Sequence, residues 1–186
     1  MKTIITVIFA GILTYTGAQH RCQVPTGLRT MGREFSTNSF FKGSWYVTHM
    51  KDVTSNSYDA VCREYKTKVE DKKMKLETNE DYTIKKVTKP YTTTCSADIP
   101  PMQHGSIHLR CQHSGKDGNS YTFIDFSLLW TIIETDYQGY ALAYRCTRYD
   151  DGSIHIGNLL LLQRTKTADT SKATEISKKY SMQKLC

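Results

Sequence analysis

Six cysteines are the residues of this chain with the most definite chemistry. None of them forms a C-x-x-C pair, so the ligand spacing of a zinc ribbon is absent. An even number in an exported chain favours three disulfides, although spacing alone leaves their connectivity open. The six stand at Cys22, Cys62, Cys95, Cys111, Cys146 and Cys186.

The histidines and acids show no pattern typical of a metal site or an enzyme. No two histidines lie four residues apart on a predicted helix, and the motifs G-x-S-x-G and H-E-x-x-H are absent. Asp136 falls in a predicted turn. We therefore expect no catalytic residue, no metal and no enzymatic activity. The histidines are His20, His49, His104, His108, His113 and His155.

The N-terminus resembles a secretory signal peptide. A positive start at Lys2 is followed by the apolar run Thr3–Tyr15 and by the small residues Thr16–Ala18. Such a run is too short to span a bilayer, and cleavage is expected after Ala18. No second apolar run of spanning length follows. The sequence thus predicts a signal peptide over 1–18 and one secreted, extracellular domain over 19–186, with no membrane span.

The formal net charge is +7 at pH 7. Lysines concentrate in Lys66–Lys75 and in Ile84–Lys89. These segments form either a solvated basic face or a surface that attracts acidic partners. Nucleic acid is not expected, because an exported chain without a stacking motif lacks the usual signature.

Alternation of apolar and polar residues predicts an all-β fold of eight strands with a C-terminal helix over Asp169–Lys184. Short connections between strands fit an eight-stranded antiparallel up-and-down barrel followed by an α-helix. A two-sheet sandwich fits the same strand count. The predicted strands are Gly43–Lys51, Ala60–Lys68, Lys73–Glu80, Thr83–Ser96, Ser106–His113, Ser120–Glu134, Tyr140–Arg148 and Ile154–Thr167.

Three separated motifs resemble the signature regions of the lipocalin family and favour the barrel. Gly43-Ser44-Trp45 opens the first predicted strand, Thr135-Asp136-Tyr137 precedes the seventh, and Arg164 ends the eighth. The resemblance implies that Trp45 closes the narrow end of the barrel and that Arg164 stacks over its ring, a cation–π contact. Gly43, Trp45 and Arg164 are then parts of the barrel base and not ligand contacts.

The segments FFKGSWYVTH, VCREY and YALAYRC, with the cysteine layout, are similar to the triabin/pallidipin group of triatomine salivary lipocalins. That group implies the disulfides Cys22–Cys146, Cys62–Cys186 and Cys95–Cys111. It also implies a role in blood feeding. Members bind small host mediators such as thromboxane, leukotrienes, biogenic amines or ADP, others bind clotting proteins, and the more distant nitrophorins carry haem.

The resemblance also predicts which side chains enter the barrel. An inward Trp45 places every second residue of its strand inside. Cys146 must face outward to reach the N-terminal segment, and Arg164 faces inward, which sets the alternation on the last two strands. The predicted pocket residues are His49, Val47, Ala141, Ala143, Arg145, Asn158 and Leu160.

These residues favour an anionic ligand over an amine. At the position of His49, nitrophorins carry an aspartate that accepts an ammonium group, whereas an imidazole is not an amine acceptor. A guanidinium at Arg145 can hold a carboxylate through two parallel hydrogen bonds. The alternative is an Arg145 paired with a neighbouring acid such as Asp125 or Glu134. The stretch ETNEDYT has no histidine where nitrophorins ligate haem iron, so no cofactor is expected.

Two functions follow as hypotheses. In the first, the barrel sequesters thromboxane A2 or a leukotriene and so inhibits platelet aggregation and haemostasis. In the second, the chain is a protein-binding anticoagulant that acts on thrombin or contact-phase factors. The basic charge has the wrong sign for the basic thrombin surface that triabin itself covers, although not for an acidic target. A pheromone or nutrient carrier is a third option, since the fold does not fix the function. A monomer is expected in each case.

Overall fold

A computed structural model describes residues 22, 24–52, 61–84, 87–117, 119–152, 154–167 and 170–186. The predicted signal peptide over 1–18 lies outside these residues. In chain order the elements are α1 (Thr37–Phe40), β1 (Gly43–Asp52), β2 (Glu64–Glu70), β3 (Lys73–Ile84), β4 (Val87–Asp98), β5 (Ser106–Asp117), β6 (Ser120–Thr135), β7 (Tyr140–Tyr149), β8 (Ile154–Gln163), α2 (Ser171–Lys179) and β9 (Gln183–Lys184).

Strands β1 to β8 form a closed antiparallel barrel with up-and-down order. Each strand from β2 to β8 pairs with its neighbour in sequence, and β1 pairs with both β8 and β2. The closing pair is short and runs from Gly43–Thr67 to Tyr46–Glu64. Because β1 joins the two ends of the strand order, the barrel prediction is confirmed and the two-sheet sandwich is excluded.

Several strands are longer than their sequence pattern indicates. β3 and β4 pair continuously from Lys73–Asp98 to Ile84–Val87, so their hairpin extends beyond the alternating segments. β8 instead ends at Gln163, ahead of the predicted Thr167. A ladder of hydrogen bonds between two adjacent strands does not require alternating side chains, and this is why periodicity underestimates hairpins.

Helix α2 packs on the outside of the barrel and is shorter than predicted. The Thr170 side chain caps it by accepting a hydrogen bond from the Ala173 N–H (3.2 Å). Ala173 and Ile176 are buried in an apolar cluster between α2 and the barrel, which includes Tyr144 and Leu161. The helix ends at Lys179, since Ser181 takes a positive φ of 51° and redirects the chain. The tail then forms β9, which pairs with β1 at His49 and Met50.

The base of the barrel is closed by aromatic rings and one arginine. Trp45 is fully buried, stacks on Phe40 (5.1 Å between centroids) and donates from Nε1 to the Phe40 carbonyl (2.9 Å). The Arg164 guanidinium lies 3.5 Å from the centre of the Trp45 ring and donates to the carbonyl oxygens of Ser44 and Tyr137. Burial lowers the pKa of Arg164 to about 10, so it stays charged at neutral pH. Helix α1, which the sequence analysis did not anticipate, supplies Phe40.

Three disulfides join Cys22 to Cys146, Cys62 to Cys186 and Cys95 to Cys111, the pairings that the resemblance implies. The first ties the N-terminal segment to the outer face of β7. The second fixes the C-terminal tail beside the start of β2. The third joins opposed residues of β4 and β5 inside the barrel. All six cysteines are therefore oxidised, which is typical of proteins from an oxidising compartment.

Gly157 is required by the Tyr144 ring, which lies over it on the outer face. A Cβ at Gly157 would overlap the Tyr144 hydroxyl and ring, and Tyr144 is itself buried beneath α2. We expect Gly157→Ala to lower the free energy of unfolding by about 1–3 kcal/mol, the usual effect of overpacking. Urea denaturation would measure it.

The control is the same substitution in a Tyr144→Ala background, where the overlap is gone. There, Gly157→Ala should change the free energy of unfolding by only a few tenths of a kcal/mol. An equal loss in both backgrounds would show that the ring is not the cause.

Candidate ligand site inside the barrel

Six of the seven predicted pocket residues lie on the inner face of the barrel. Four belong to the buried cluster that fills the interior, and the other two face each other across β7 and β8 at the level of Trp130. Their role in binding stays a prediction. The six are Val47, Ala141, Ala143, Arg145, Asn158 and Leu160.

The inward orientation predicted for His49 is wrong. A bulge at Thr48 shifts the register of β1 against β8, so that Val47 pairs with Leu162 but His49 pairs with Leu161. Leu161 packs beneath α2 on the outer face, and opposed residues of a sheet share one face. His49 therefore lies on the outside, where its Nδ1 is 3.1 Å from the Thr48 hydroxyl. Met50 takes the inward position.

Large aromatic side chains fill the lower interior and form the floor of the site. Trp130 makes edge contacts with Phe40, Phe41 and Tyr65 at centroid distances of 5.4, 6.3 and 5.2 Å. The Trp130 indole N–H makes no hydrogen bond with any described protein group, although the ring is only 1% exposed. A ligand oxygen placed beside this N–H would satisfy it.

Two buried arginines converge on the Tyr65 hydroxyl directly above this floor. Arg145 donates from Nη1 to the Tyr65 oxygen (2.9 Å) and from Nη2 to Asn158 Oδ1 (2.9 Å). Arg63, 2% exposed, also hydrogen-bonds to Tyr65. Burial by itself would raise the pKa of Tyr65, but the charges of Arg145 and Arg63 outweigh it and lower that pKa below its ordinary value. The site thus favours negative charge at the Tyr65 oxygen.

The acids considered as partners for Arg145 lie on the outer face. Asp125 is opposite Gln112 and accepts a hydrogen bond from it (3.0 Å). Glu134 accepts a hydrogen bond from the Tyr140 hydroxyl (2.5 Å) and lies near Lys172 of α2. Neither can pair with a guanidinium inside the barrel, so that alternative is excluded for these two residues.

A second polar group lies on the inner face nearer the open end. His113, 2% exposed, stacks on Phe126 at 4.3 Å. Its Nδ1 is 2.6 Å from the Thr93 hydroxyl and its Nε2 is 3.3 Å from the Tyr149 hydroxyl. The sequence analysis missed this group, together with Arg63 and Tyr65. Tyr65 is opposite the inward Trp45 and so faces inward as well. Alternation from Tyr65 would then have placed Arg63 inside.

The lysines of the Lys66–Lys75 segment that line a groove lie on the outer face and not inside the barrel. A groove of about 740 Å³ on the outer face includes Lys68, Lys75 and Arg110. Glu70 forms salt bridges with Lys68 (3.1 Å) and with Lys75. Arg110 forms a bidentate salt bridge with Asp150. Because local acids neutralise these cations, the groove has no strong preference for anions.

Within the described ranges, no cluster of three or more histidine, cysteine or acidic side chains has the arrangement needed to hold a metal ion. Over those ranges, no helix is both long enough and apolar enough to cross a membrane.

Comparison with known proteins identifies a matching family and relatives in Triatoma infestans. The family model described as Triabin matches residues 21–177. Triafestin-1 of Triatoma infestans is 33% identical over 170 residues, covering 88% of this chain and 79% of the relative. "Platelet inhibitor triplatin-2" of the same species is 31% identical over 168 residues, covering 89% and 84%.

Solved structures with the same fold have lower identity. The tryptamine complex of the amine binding protein of Rhodnius prolixus has a TM-score of 0.60 at 21% identity, covering 85% of this chain and 80% of that one. The LTC4 complex of LTBP1 has a TM-score of 0.57 at 24% identity, covering 88% and 96%. At these identities the likeness shows the fold alone.

Proposed function

Because this chain belongs to the triabin family of lipocalins, we propose that it is a secreted protein whose barrel sequesters a small hydrophobic anion of the host. Residues 1–18 would be removed as a signal peptide, and 19–186 would form the mature salivary protein. Thromboxane A2 and the leukotrienes are the ligands with the matching chemistry. Their capture would inhibit platelet aggregation and so impair haemostasis.

The observation that carries this proposal is the pair of buried arginines at Tyr65. A carboxylate that enters the barrel would exchange its hydrogen bonds with water for hydrogen bonds with the guanidinium groups of Arg63 and Arg145. Its hydrocarbon chain would contact apolar side chains such as Leu160 and Leu128. The Trp130 N–H supplies a further donor at the same level. A cationic amine would instead meet two positive charges.

The relatives support a scavenger of this type. One of them carries the description platelet inhibitor. LTBP1, which shares the fold, is described in complex with leukotriene C4, a carboxylic acid with a long apolar chain. The amine binding protein shares the fold as well, and the positive interior of the present chain is what favours an acid over an amine.

Titration calorimetry would test the proposal on the mature protein with a stable thromboxane A2 analogue, leukotriene C4 and tryptamine. We expect both acids to bind and tryptamine to give no heat. Binding of tryptamine without either acid would overturn the proposal. Prolonged plasma clotting by a protein that binds none of the three would favour the protein-binding anticoagulant instead.

Arg145→Gln removes one of the two guanidinium groups and keeps a polar, hydrogen-bonding side chain that is uncharged and shorter. Loss of a hydrogen bond to a charged group is expected to weaken acid binding by about 2–3 kcal/mol, roughly 30- to 150-fold. The same titration measures the change, with circular dichroism to verify folding.

Arg148→Gln is the matched control, because Arg148 lies on the same strand and its side chain is exposed. It should bind acids as the wild type does. If Arg145→Gln and Arg148→Gln bind equally well, the acid group does not lie at Arg145.

A further inference from the structure

Two groups of polar side chains on the inner face are here called stations. The first is the arginine pair at Tyr65, and the second consists of Thr78, Thr93, His113 and Tyr149. Thr78 opposes Thr93 across β3 and β4, and Thr93 opposes His113 across β4 and β5, so the three side chains share that face. Hydrogen-bonding contacts connect Thr93 to His113 and His113 to Tyr149. Phe126 and Tyr91 enclose the imidazole at centroid distances of 4.3 and 5.8 Å.

Thr78 is the member of this station that lacks a hydrogen bond. Its side chain is 2% exposed, and its hydroxyl makes no hydrogen bond with any described group of the protein. A hydroxyl can both donate and accept, and burial of an unsatisfied one costs about 1–3 kcal/mol. A ligand oxygen at this height would satisfy it.

The register fixes the distance between the two stations. Arg145 is opposite Trp130, and Tyr149 is opposite Phe126, so four residues separate the levels on both β6 and β7. At about 3.3 Å per residue, the stations are about 13 Å apart along the strands. The inward residues between them on these two strands are Leu128, which belongs to the apolar core, and Thr147.

We propose that the station of Thr78, Thr93, His113 and Tyr149 recognises an oxygen in the middle of the ligand chain, while the arginine pair holds its carboxylate. An extended chain advances about 1.2 Å per bond, so the oxygen lies about eleven bonds from the carboxyl carbon. The ligand class is therefore a long-chain carboxylic acid with a mid-chain hydroxyl. This inference rests on the proposed function and adds the position of the second polar group.

A series of twenty-carbon acids would test the position. The probes are arachidonic acid, 5-hydroxyeicosatetraenoic acid and 12-hydroxyeicosatetraenoic acid, the last of which has its oxygen about eleven bonds from the carboxyl carbon. The wild type should bind the 12-hydroxy acid about 3- to 10-fold more tightly than arachidonic acid, the effect of one net hydrogen bond. The 5-hydroxy acid should show no such advantage.

Thr78→Val keeps the shape of the side chain and removes the hydroxyl. It should abolish the preference for the 12-hydroxy acid and leave arachidonic acid binding unchanged. Thr94→Val, at an exposed position of the neighbouring strand β4, is the matched control and should keep the preference. Tyr149→Phe should reduce the preference without preventing folding.

The outcomes separate the two proposals. Equal binding of all three acids by the wild type, or a preference that survives Thr78→Val, would overturn the mid-chain station while the scavenging of acids stands. Failure of every acid to bind would overturn the proposed function itself and the station with it.

Discussion

Replacing Cys62 and Cys186 with alanine is expected to lower the free energy of unfolding by about 4–5 kcal/mol, because their disulfide closes a loop with a sequence separation of 124. A long closed loop removes much conformational freedom from the unfolded chain. The bond also anchors β9 beside β1, and it fixes Cys62, which directly precedes Arg63. Denaturation in guanidinium chloride under non-reducing conditions would measure the loss.

Removal of the Cys95–Cys111 disulfide is the matched control, since its sequence separation is only 16 and both its ends lie on paired strands. Its loss should lower the free energy of unfolding by about 3 kcal/mol in the same model. An equal or larger effect than that of the Cys62–Cys186 pair would contradict the loop-closure argument. Acid binding should weaken only in the Cys62–Cys186 variant, because Arg63 is then less firmly positioned.

Trp45→Ala is expected to lower the free energy of unfolding by about 3–5 kcal/mol, as is usual for a large side chain removed from a core. The indole is fully buried, stacks on Phe40 and lies under the Arg164 guanidinium. Its removal leaves a cavity at the base and deprives a partly buried cation of its aromatic partner. Thermal and urea denaturation would measure the effect.

Arg164→Lys tests the stacked contact without creating the cavity. Lysine keeps the charge but lacks the planar group that donates to the carbonyl oxygens of Ser44 and Tyr137. A loss of about 1–2 kcal/mol is expected, clearly less than that of Trp45→Ala. If Trp45→Ala cost under about 1 kcal/mol, the base would not depend on this tryptophan.

Much of the fold could be predicted from the sequence because its signals are local. Alternation identified all eight barrel strands, and the resemblance of three motifs to the lipocalin signature regions implied the family and the closed end at Trp45 and Arg164. The cysteine count indicated three disulfides, and the resemblance implied their pairing. Element ends were less certain, as α2 shows: Tyr180 and Met182 continue its apolar pattern, but the chain turns at Ser181 to bring Cys186 to Cys62.

The candidate site was only partly predictable. Arg145 and Asn158 were placed inside correctly, because β7 and β8 stay in register between Tyr140 and Cys146. Arg63 and His113 were missed, since nothing in their own segments marks them as inward. His113 contacts Thr93 across a sequence separation of 20, and Arg145 contacts Tyr65 across a separation of 80. Only the tertiary structure decides such contacts.

The sequence alone thus determined the eight strands and indicated three disulfides, because alternation and residue type act locally. The family resemblance implied Trp45 and Arg164 at the base, and the structure added Phe40. The tertiary structure decided which face each side chain takes after an irregularity. One extra residue at Thr48 reverses the alternation of β1, since side chains change face at every position. That bulge moves His49 outside and Met50 inside. The proposed preference for an anionic ligand therefore rests on Arg63 and Arg145 around Tyr65 and not on His49.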